Sequence, residues 1–310
     1  MVRPVGNSGG FSIFIIMDKS SFITILCFFS ICLLWTGCKE KTVALAKDII
    51  FEKEENIRYG DDPGQKLDLY IPQNRDSIKG VFIIIHGGGW RSGDKSQLTF
   101  FTLSMMKKFP DYAFANMNYR LADKHSFILP NQTKDIDNAL DLLVKKSVEM
   151  KCKPRFILLG NSAGAHLSML YGYNRIFAHK HRTKVKTIVN IVGPADLNNA
   201  DFKNYSDYSF VEKHMIDSSK PTPTDITNLD IPNPIFWINE TSPPTLSFYG
   251  NRDQVIPLSQ MRKLDSALIQ HKVRHETYEF NGGHLDWDQA PNDEFLIDKI
   301  AAFLKQTGEK

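Results

Sequence analysis

Cysteine is scarce in this chain of 310 residues. There are four: Cys27 and Cys32 inside one apolar run, then Cys38 and Cys152. No pair stands at metal-ligand spacing, so no cysteine metal site is expected. An excess of one charge is also lacking. Lys and Arg number 38 against 35 Asp and Glu, a net charge of +3. The densest basic cluster is His179-Lys180-His181-Arg182, which reads as a solvated turn, so nucleic acid is not an expected partner. No internal repeat is visible. The longest apolar run, Phe22–Trp35, falls short of the roughly 20 residues that a spanning helix needs. What remains is ordinary globular material, 42% hydrophobic and 24% charged. That excludes a disordered or low-complexity chain. The length suffices for a sizeable core without staples.

The first 38 residues differ from the rest. Lys19 precedes the run FITILCFFSICLLW at 22–35, and Thr36-Gly37-Cys38 follows. That is the order of a signal peptide: a charged start, an apolar stretch, then small residues at a cleavage point. Met17 opens such a segment in a conventional way, so residues 1–16 are expected to precede the true start. Leu34-Trp35-Thr36-Gly37-Cys38 resembles a bacterial lipoprotein signal, which implies lipid on Cys38 and a membrane anchor in the cell envelope. Ordinary secretion, with cleavage nearby, is the alternative. Cys152 reads as a buried or half-buried bystander.

Residues 39–310 alternate strand and helix signals. Val81–Ile85 (VFIII) is a β-branched run ending at His86-Gly87-Gly88-Gly89-Trp90. Strands are also predicted at Tyr112–Tyr119, Phe156–Leu159, Val185–Val192, Thr245–Tyr249 and His275–Phe280. Helical spacing marks Thr133–Lys145, a stretch from Ala165, Met261–Gln270 and Glu294–Leu304. Ile50–Tyr59 and Lys66–Ile71 alternate as a hairpin does. Strands alternating with helices imply a mostly parallel twisted sheet with helices on both faces. Asp196–Pro244 breaks the rhythm with six prolines and many polar residues. It reads as a short, lid-like insertion (about 196–244), because a structureless loop of that length is unusual.

Three local signals converge on one edge of that sheet. In Gly160-Asn161-Ser162-Ala163-Gly164, small residues let the chain turn sharply from strand to helix and push the Ser162 hydroxyl outward. The next backbone N–H, from Ala163, then points to where an oxyanion would form. In His86-Gly87-Gly88-Gly89-Trp90, consecutive glycines allow close backbone approach. A phosphate loop is excluded there, since no Gly-Lys-Ser/Thr follows. Downstream, Asp253 and His284 each follow a late strand, which delivers an acid and then a base to the edge that carries Ser162. His86 reads as support for its own loop, and His166 as a packing or hydrogen-bonding residue. Asp286 and Asp288 are rivals to Asp253, placed awkwardly close to His284.

These residues resemble the HGGG-containing esterases of the α/β-hydrolase fold, the carboxylesterases and the feruloyl and acetyl esterases. The resemblance rests on His86–Trp90 with Gly93-Asp94-Lys95, Asn118-Tyr119-Arg120-Leu121, Gly160–Gly164 with His166-Leu167, Asp253 with Val255-Ile256-Pro257, and Gly283-His284. It covers roughly residues 48–305. It departs at Ala165, where the family often has glycine, and at Asn161, where Asp, Glu or Gln are frequent. It implies an α/β-hydrolase fold and a serine hydrolase of carboxylic esters needing neither metal nor organic cofactor. It also implies a Ser162–His284–Asp253 triad, and an oxyanion hole of the Gly88, Gly89 and Ala163 N–H groups with His86 and Trp90 supporting the loop. Small-molecule or oligosaccharide esters are the expected substrates. A peptidase of the prolyl oligopeptidase type and a non-catalytic binding protein on this fold remain as alternatives, although no stretch could form a β-propeller and every catalytic position is filled.

Overall fold

The computed structural model describes residues 41–73, 78–123, 125–126, 128–174, 180–198, 200, 208–216 and 230–308. By contacts the chain divides into two units, Met1–Lys39 and Glu40–Lys310, and every described element belongs to the second. The signal segment and Cys38 lie outside the described residues.

The described strands are β1 (Lys41–Ala46), β2 (Ile49–Arg58), β3 (Lys66–Pro72), β4 (Val81–Ile85), β5 (Ala113–Met117), β6 (Phe156–Asn161), β7 (Val185–Ile191), β8 (Thr245–Gly250) and β9 (His275–Phe280). They form one sheet in the order β1-β2-β3-β5-β4-β6-β7-β8-β9. The first three run as an antiparallel meander that joins β5 antiparallel. From β5 to β9 every pairing is parallel. Parallel neighbours require crossovers, and the helices α1 (Thr99–Lys108), α2 (Asn131–Glu149), α3 (Ala163–Tyr173), α6 (Leu258–Gln270) and α7 (Asn292–Gln306) lie between or after the strands.

The β-branched run of β4 shows why helices cover both faces. Ile83 and Ile85 point into one core, with Ile136 and Leu140 of α2 and Leu167 of α3. Phe82 and Ile84 point into the other, with Met105 of α1 and Ile300 and Phe303 of α7. A strand buried on both sides must be apolar throughout, so its period of 2 disappears. Phe82 and Phe114 stack with centroids 5.0 Å apart, fixing the β4–β5 register on that face.

The expected boundaries shift slightly. β5 stops at Met117, because Asn118 turns its side chain to the loop after β4, accepting from the Lys95 N–H and donating to Asp94. α3 begins at Ala163, immediately after Ser162, and β1 and α1 are additions. Within 196–244, two short helices are described, α4 (Tyr208–His214) and α5 (Pro234–Trp237). Leu197, Val211, Met215, Ile231 and Trp237 are buried in the core that α2 and α3 share, and the Ile128 and Leu129 N–H groups donate to His214 and Met215. The described part of the insertion is therefore seated on the body of the domain.

Candidate active site

Ser162 occupies a backbone conformation rare for a side-chain-bearing residue, φ 52° and ψ −121°. Its surroundings leave that turn no slack. A Cβ on Gly160 would stand 2.3 Å from the Gly164 carbonyl carbon, and one on Gly164 would stand 2.1 Å from the Ile85 carbonyl oxygen. Both glycines are thus required by backbone packing between β4, β6 and α3. The Ser162 N–H donates to Ile191 O at 2.9 Å, fixing the turn against β7 as well. Strain held in this way by surrounding structure is characteristic of functional turns.

The loop after β4 lies over the turn. A Cβ on Gly87 would come within 3.2 Å of Ser162 Cβ. Gly88 has φ +105° and Gly89 φ +58°, both left-handed. The carbonyls of this loop are engaged away from the site. Gly87 O accepts from His86 Nδ1 (2.7 Å) and Tyr119 Oη (3.2 Å). Gly88 O accepts from the Arg91 and Ser92 N–H groups, and Trp90 O from Ala122 N–H and Gln132 Nε2.

His86 stacks on Tyr119 at 4.4 Å. Burial pushes its pKa down, favouring the neutral ring, and with Nδ1–H given to Gly87 O its buried Nε2 has no partner among the described residues. Trp90, also at positive φ, donates from Nε1 to His166 Nδ1 at 3.1 Å. His86 thus contacts Gly87 O and Tyr119, and Trp90 contacts His166, on either side of the glycine pair.

The acid and base arrive from the ends of β8 and β9. His284 Nε2 lies 3.0 Å from Ser162 Oγ, and His284 Nδ1 lies 2.8 Å from Asp253 Oδ2. The Asp253 carboxylate is fully buried, and its Oδ1 accepts the Val255 and Ile256 N–H groups at 2.7 and 2.8 Å. A carboxylate held in this way orients the imidazole, with Nδ1–H toward Asp253 and Nε2 toward the hydroxyl. Chemically, this is a hydroxyl with a base in hydrogen-bond reach and that base oriented by an acid. Asp286 is drawn away from His284; it accepts the Gly283 N–H at 2.7 Å and so braces the loop. Burial raises the pKa of Asp288.

Residues 67–268 match the BD-FAE family. The chain belongs to that family. The matched span includes Ser162 and Asp253 and ends ahead of His284. Esterase LipC of Mycobacterium tuberculosis is 26% identical over 222 residues, covering 68% of this chain and 54% of LipC. This chain thus spans about half the length of that relative. Among solved structures, a truncated carbohydrate esterase from gut microbiota matches with TM-score 0.67 and 18% identity, over 85% of this chain and 99% of that one. Esterase B of Lactobacillus rhamnosis matches with TM-score 0.67 and 19% identity, over 94% of each chain. These likenesses establish the α/β-hydrolase fold.

An open cleft of about 690 Å³ exposes Ser162 and His284, bordered by Gly88, Gly89, Val255 and Leu285. A second, of about 950 Å³, adjoins it across Gly88, Asn161 and Leu285 and presents Gln97, Asp288 and Gln289.

Some parts of this BD-FAE site were not singled out from sequence. Gln132 donates to both Trp90 O (2.7 Å) and Arg120 O (2.8 Å), tying α2 to two loops. Asp135 is wholly buried and accepts from Arg120 Nη2 and Gln65 Nε2, both at 2.7 Å. Buried charge is tolerable only when paired and hydrogen-bonded in this way. Polar residues at 132 and 135, at the start of a helix whose buried face continues with Ile136, Ala139, Leu140 and Leu143, were the available signal. Among the described residues, no three His, Cys, Asp or Glu side chains group as a metal site.

Proposed function

We propose that this chain is a carboxylic ester hydrolase that works through a Ser162 acyl-enzyme. The observation that carries the reading is the unbroken Ser162–His284–Asp253 relay at 3.0 and 2.8 Å, opening into a cleft. His284 takes the Ser162 proton as the hydroxyl attacks the ester carbonyl. The tetrahedral oxyanion is met by the N–H groups of Gly88, Gly89 and Ala163, which cost no reorganisation because the loop is already held. His284 then gives the proton to the departing alcohol, and water, activated by the same base, releases the acid. Esterases among the relatives and structural neighbours support this reaction.

The favoured substrates are acetyl or similarly short acyl esters of a carbohydrate or other polar alcohol. The adjoining cleft supports this, since Gln97, Asp288 and Gln289 stand there among Leu98, Leu285 and Trp287, a mix that suits the hydroxyls and ring face of a sugar better than a long alkyl chain. So does a carbohydrate esterase among the similar folds. The test is kcat/KM for aryl esters from C2 to C12, beside acetylated and feruloylated sugars and a matched anilide. Activity is expected to fall as the acyl group lengthens. Each buried methylene contributes about 0.8 kcal/mol, so a series rising through C8 would instead identify a long-chain lipase. Ser162→Ala is expected to lose activity by a factor on the order of 10⁶ while keeping its circular dichroism.

The N-terminal segment adds a proposed location. Export, with Cys38 lipidated in a bacterial envelope, follows from the Leu34–Cys38 pattern. In a bacterial host the full chain is expected to partition into detergent and to carry acyl mass, whereas Cys38→Ser is not. Equal behaviour of the two would favour simple secretion.

A further inference from the structure

We infer that His166 is a positioning residue, which sets the register between the nucleophile and the oxyanion loop; this rests on the proposed serine mechanism. Two contacts of one residue carry the inference. Its backbone N–H donates to the Ser162 carbonyl at 3.0 Å, and its ring Nδ1 accepts from Trp90 Nε1 at 3.1 Å. His166 therefore touches the turn that holds the hydroxyl and the residue that directly follows Gly88 and Gly89.

The tautomer is set by the partners. Indole N–H is a donor only, so Nδ1 is bare and Nε2 carries the proton. Nε2 then donates to Pro232 O at 2.7 Å. The ring is wholly buried and both nitrogens are satisfied, so its rotation is closed off. The indole stands edge-on to the imidazole at 5.1 Å, 87° between planes.

Trp90 is a sensitive point at which to apply this constraint. It holds positive φ, a conformation that a bulky residue keeps only when its neighbours enforce it. Its carbonyl is already clamped by Ala122 N–H and Gln132 Nε2, so its side chain decides the remaining freedom. Releasing the indole lets the preceding glycines rotate, and glycine resists rotation least of all residues. The donors would then miss an oxyanion that forms only in the transition state. Ground-state binding, which does not need that alignment, would be largely spared.

The experiment compares wild type, His166→Leu, His166→Gln and Trp90→Phe on p-nitrophenyl acetate, with affinity for a phenylboronic acid as a transition-state mimic. Glutamine can accept from the indole and donate to Pro232; leucine can do neither. His166→Leu is expected to lose kcat on the order of 100-fold with KM within about threefold, the effect of a misplacement near 1 Å. Boronate affinity should weaken in proportion to kcat, and His166→Gln should recover most of both. Trp90→Phe removes the indole donor, with part of the ring, while leaving His166 in place and should lose kcat in the same direction, so it carries the test if the leucine variant does not fold. The inference is overturned if folded His166→Leu or Trp90→Phe keeps kcat within twofold. It is equally overturned if the loss lies in KM with boronate affinity unchanged, or if glutamine does no better than leucine. A wild type that turns over no ester would sink the esterase reading itself, and this inference with it.

Discussion

The two halves of the site are held by different forces. The half that carries Ser162 and the glycine loop is set first by backbone against backbone, with side-chain hydrogen bonds from His86, His166 and Gln132 bracing it from outside. Its turn has φ 52°, its glycines clear their neighbours by less than a methyl group, and Gly88 and Gly93 both stand at φ +105°. The half that carries Asp253 and His284 is set by side-chain hydrogen bonds at the ends of β8 and β9. Neither Asp253 nor His284 is among the residues at positive φ. Gly283, immediately ahead of His284, would meet nothing closer than 3.7 Å with a Cβ added. Crowding exists there too, at Gly250 and Gly282, but three residues ahead of Asp253 and two ahead of His284. Sterics fix a position once and for all; hydrogen bonds also fix a protonation state. The nucleophile needs the first and the base needs the second.

The contrast can be broken from the hydrogen-bonded half at greatest cost in rate. In Asp253→Asn, Oδ1 can still accept from Val255 and Ile256, but an amide N–H₂ now faces His284 Nδ1. The imidazole must turn bare on that side and carry its proton at Nε2, where it cannot take another from Ser162. The expected loss in kcat is about 10⁴-fold with the fold intact. Kinetics and a thermal melt on the same preparation check it. A loss below tenfold would mean that Asp253 is not the orienting acid.

From the steric half, Gly88→Ala is the next largest. The added methyl would stand 2.2 Å from Ser92 O, at a φ that alanine avoids, so the loop must shift. Losing one oxyanion donor typically lowers kcat by about 10² to 10³-fold. The matched control is Gly283→Ala, which meets only ordinary contacts at 3.7 and 3.8 Å and should remain within about twofold of wild type. Equal losses in the two would erase the distinction between the halves.

This same distinction decides what the sequence alone could show. Positions set by backbone crowding leave a pattern of glycines, so Gly160-x-Ser162-x-Gly164 and His86–Trp90 were legible at once. The parallel strands were legible because burial on both faces leaves unbroken β-branched runs such as Val81–Ile85. Asp253 and His284 were legible from their place after late strands rather than from any local pattern. What escaped was built from side chains meeting across the fold. Gln132 reaching Trp90 O, Asp135 accepting from Arg120, and Gln260 accepting the Ala195 and Asp196 N–H groups join positions well apart in sequence. β1 escaped for another reason: it is an edge strand with an exposed surface and six residues, too little for a period to show. α1 was hidden because Thr99–Lys108 has apolar residues around most of its circumference, without the one-sided stripe of α2.

The smallest effect at neutral pH, and the one that sharpens the comparison most, is acid lability arising in the steric half. Burial drives the His166 pKa from 6.5 down to about 4, with only the Pro232 hydrogen bond opposing. In the unfolded chain this histidine titrates near its ordinary value. Above pH 6.5 both states leave it neutral, and its contribution to stability is complete. As pH falls from 6.5 toward 4, the unfolded chain takes up a proton that the folded one refuses, so stability declines through that window. Below about 4 the folded state binds the proton too, and the decline from this group ends. A shift of this size corresponds to roughly 3 kcal/mol across the window. His86, also buried and pushed down, adds in the same direction. Protonation of His166 would place a second N–H against Trp90 Nε1–H, so the oxyanion loop should loosen before the whole domain unfolds. Melting temperatures for wild type and His166→Gln at intervals between pH 7 and pH 4 measure this. The glutamine variant is expected to be less stable at pH 7 and to show a flatter acid slope, the two curves converging toward pH 4. Parallel curves over that range would mean that the acid-sensitive group lies elsewhere, and that the steric half is not where protonation undoes this fold.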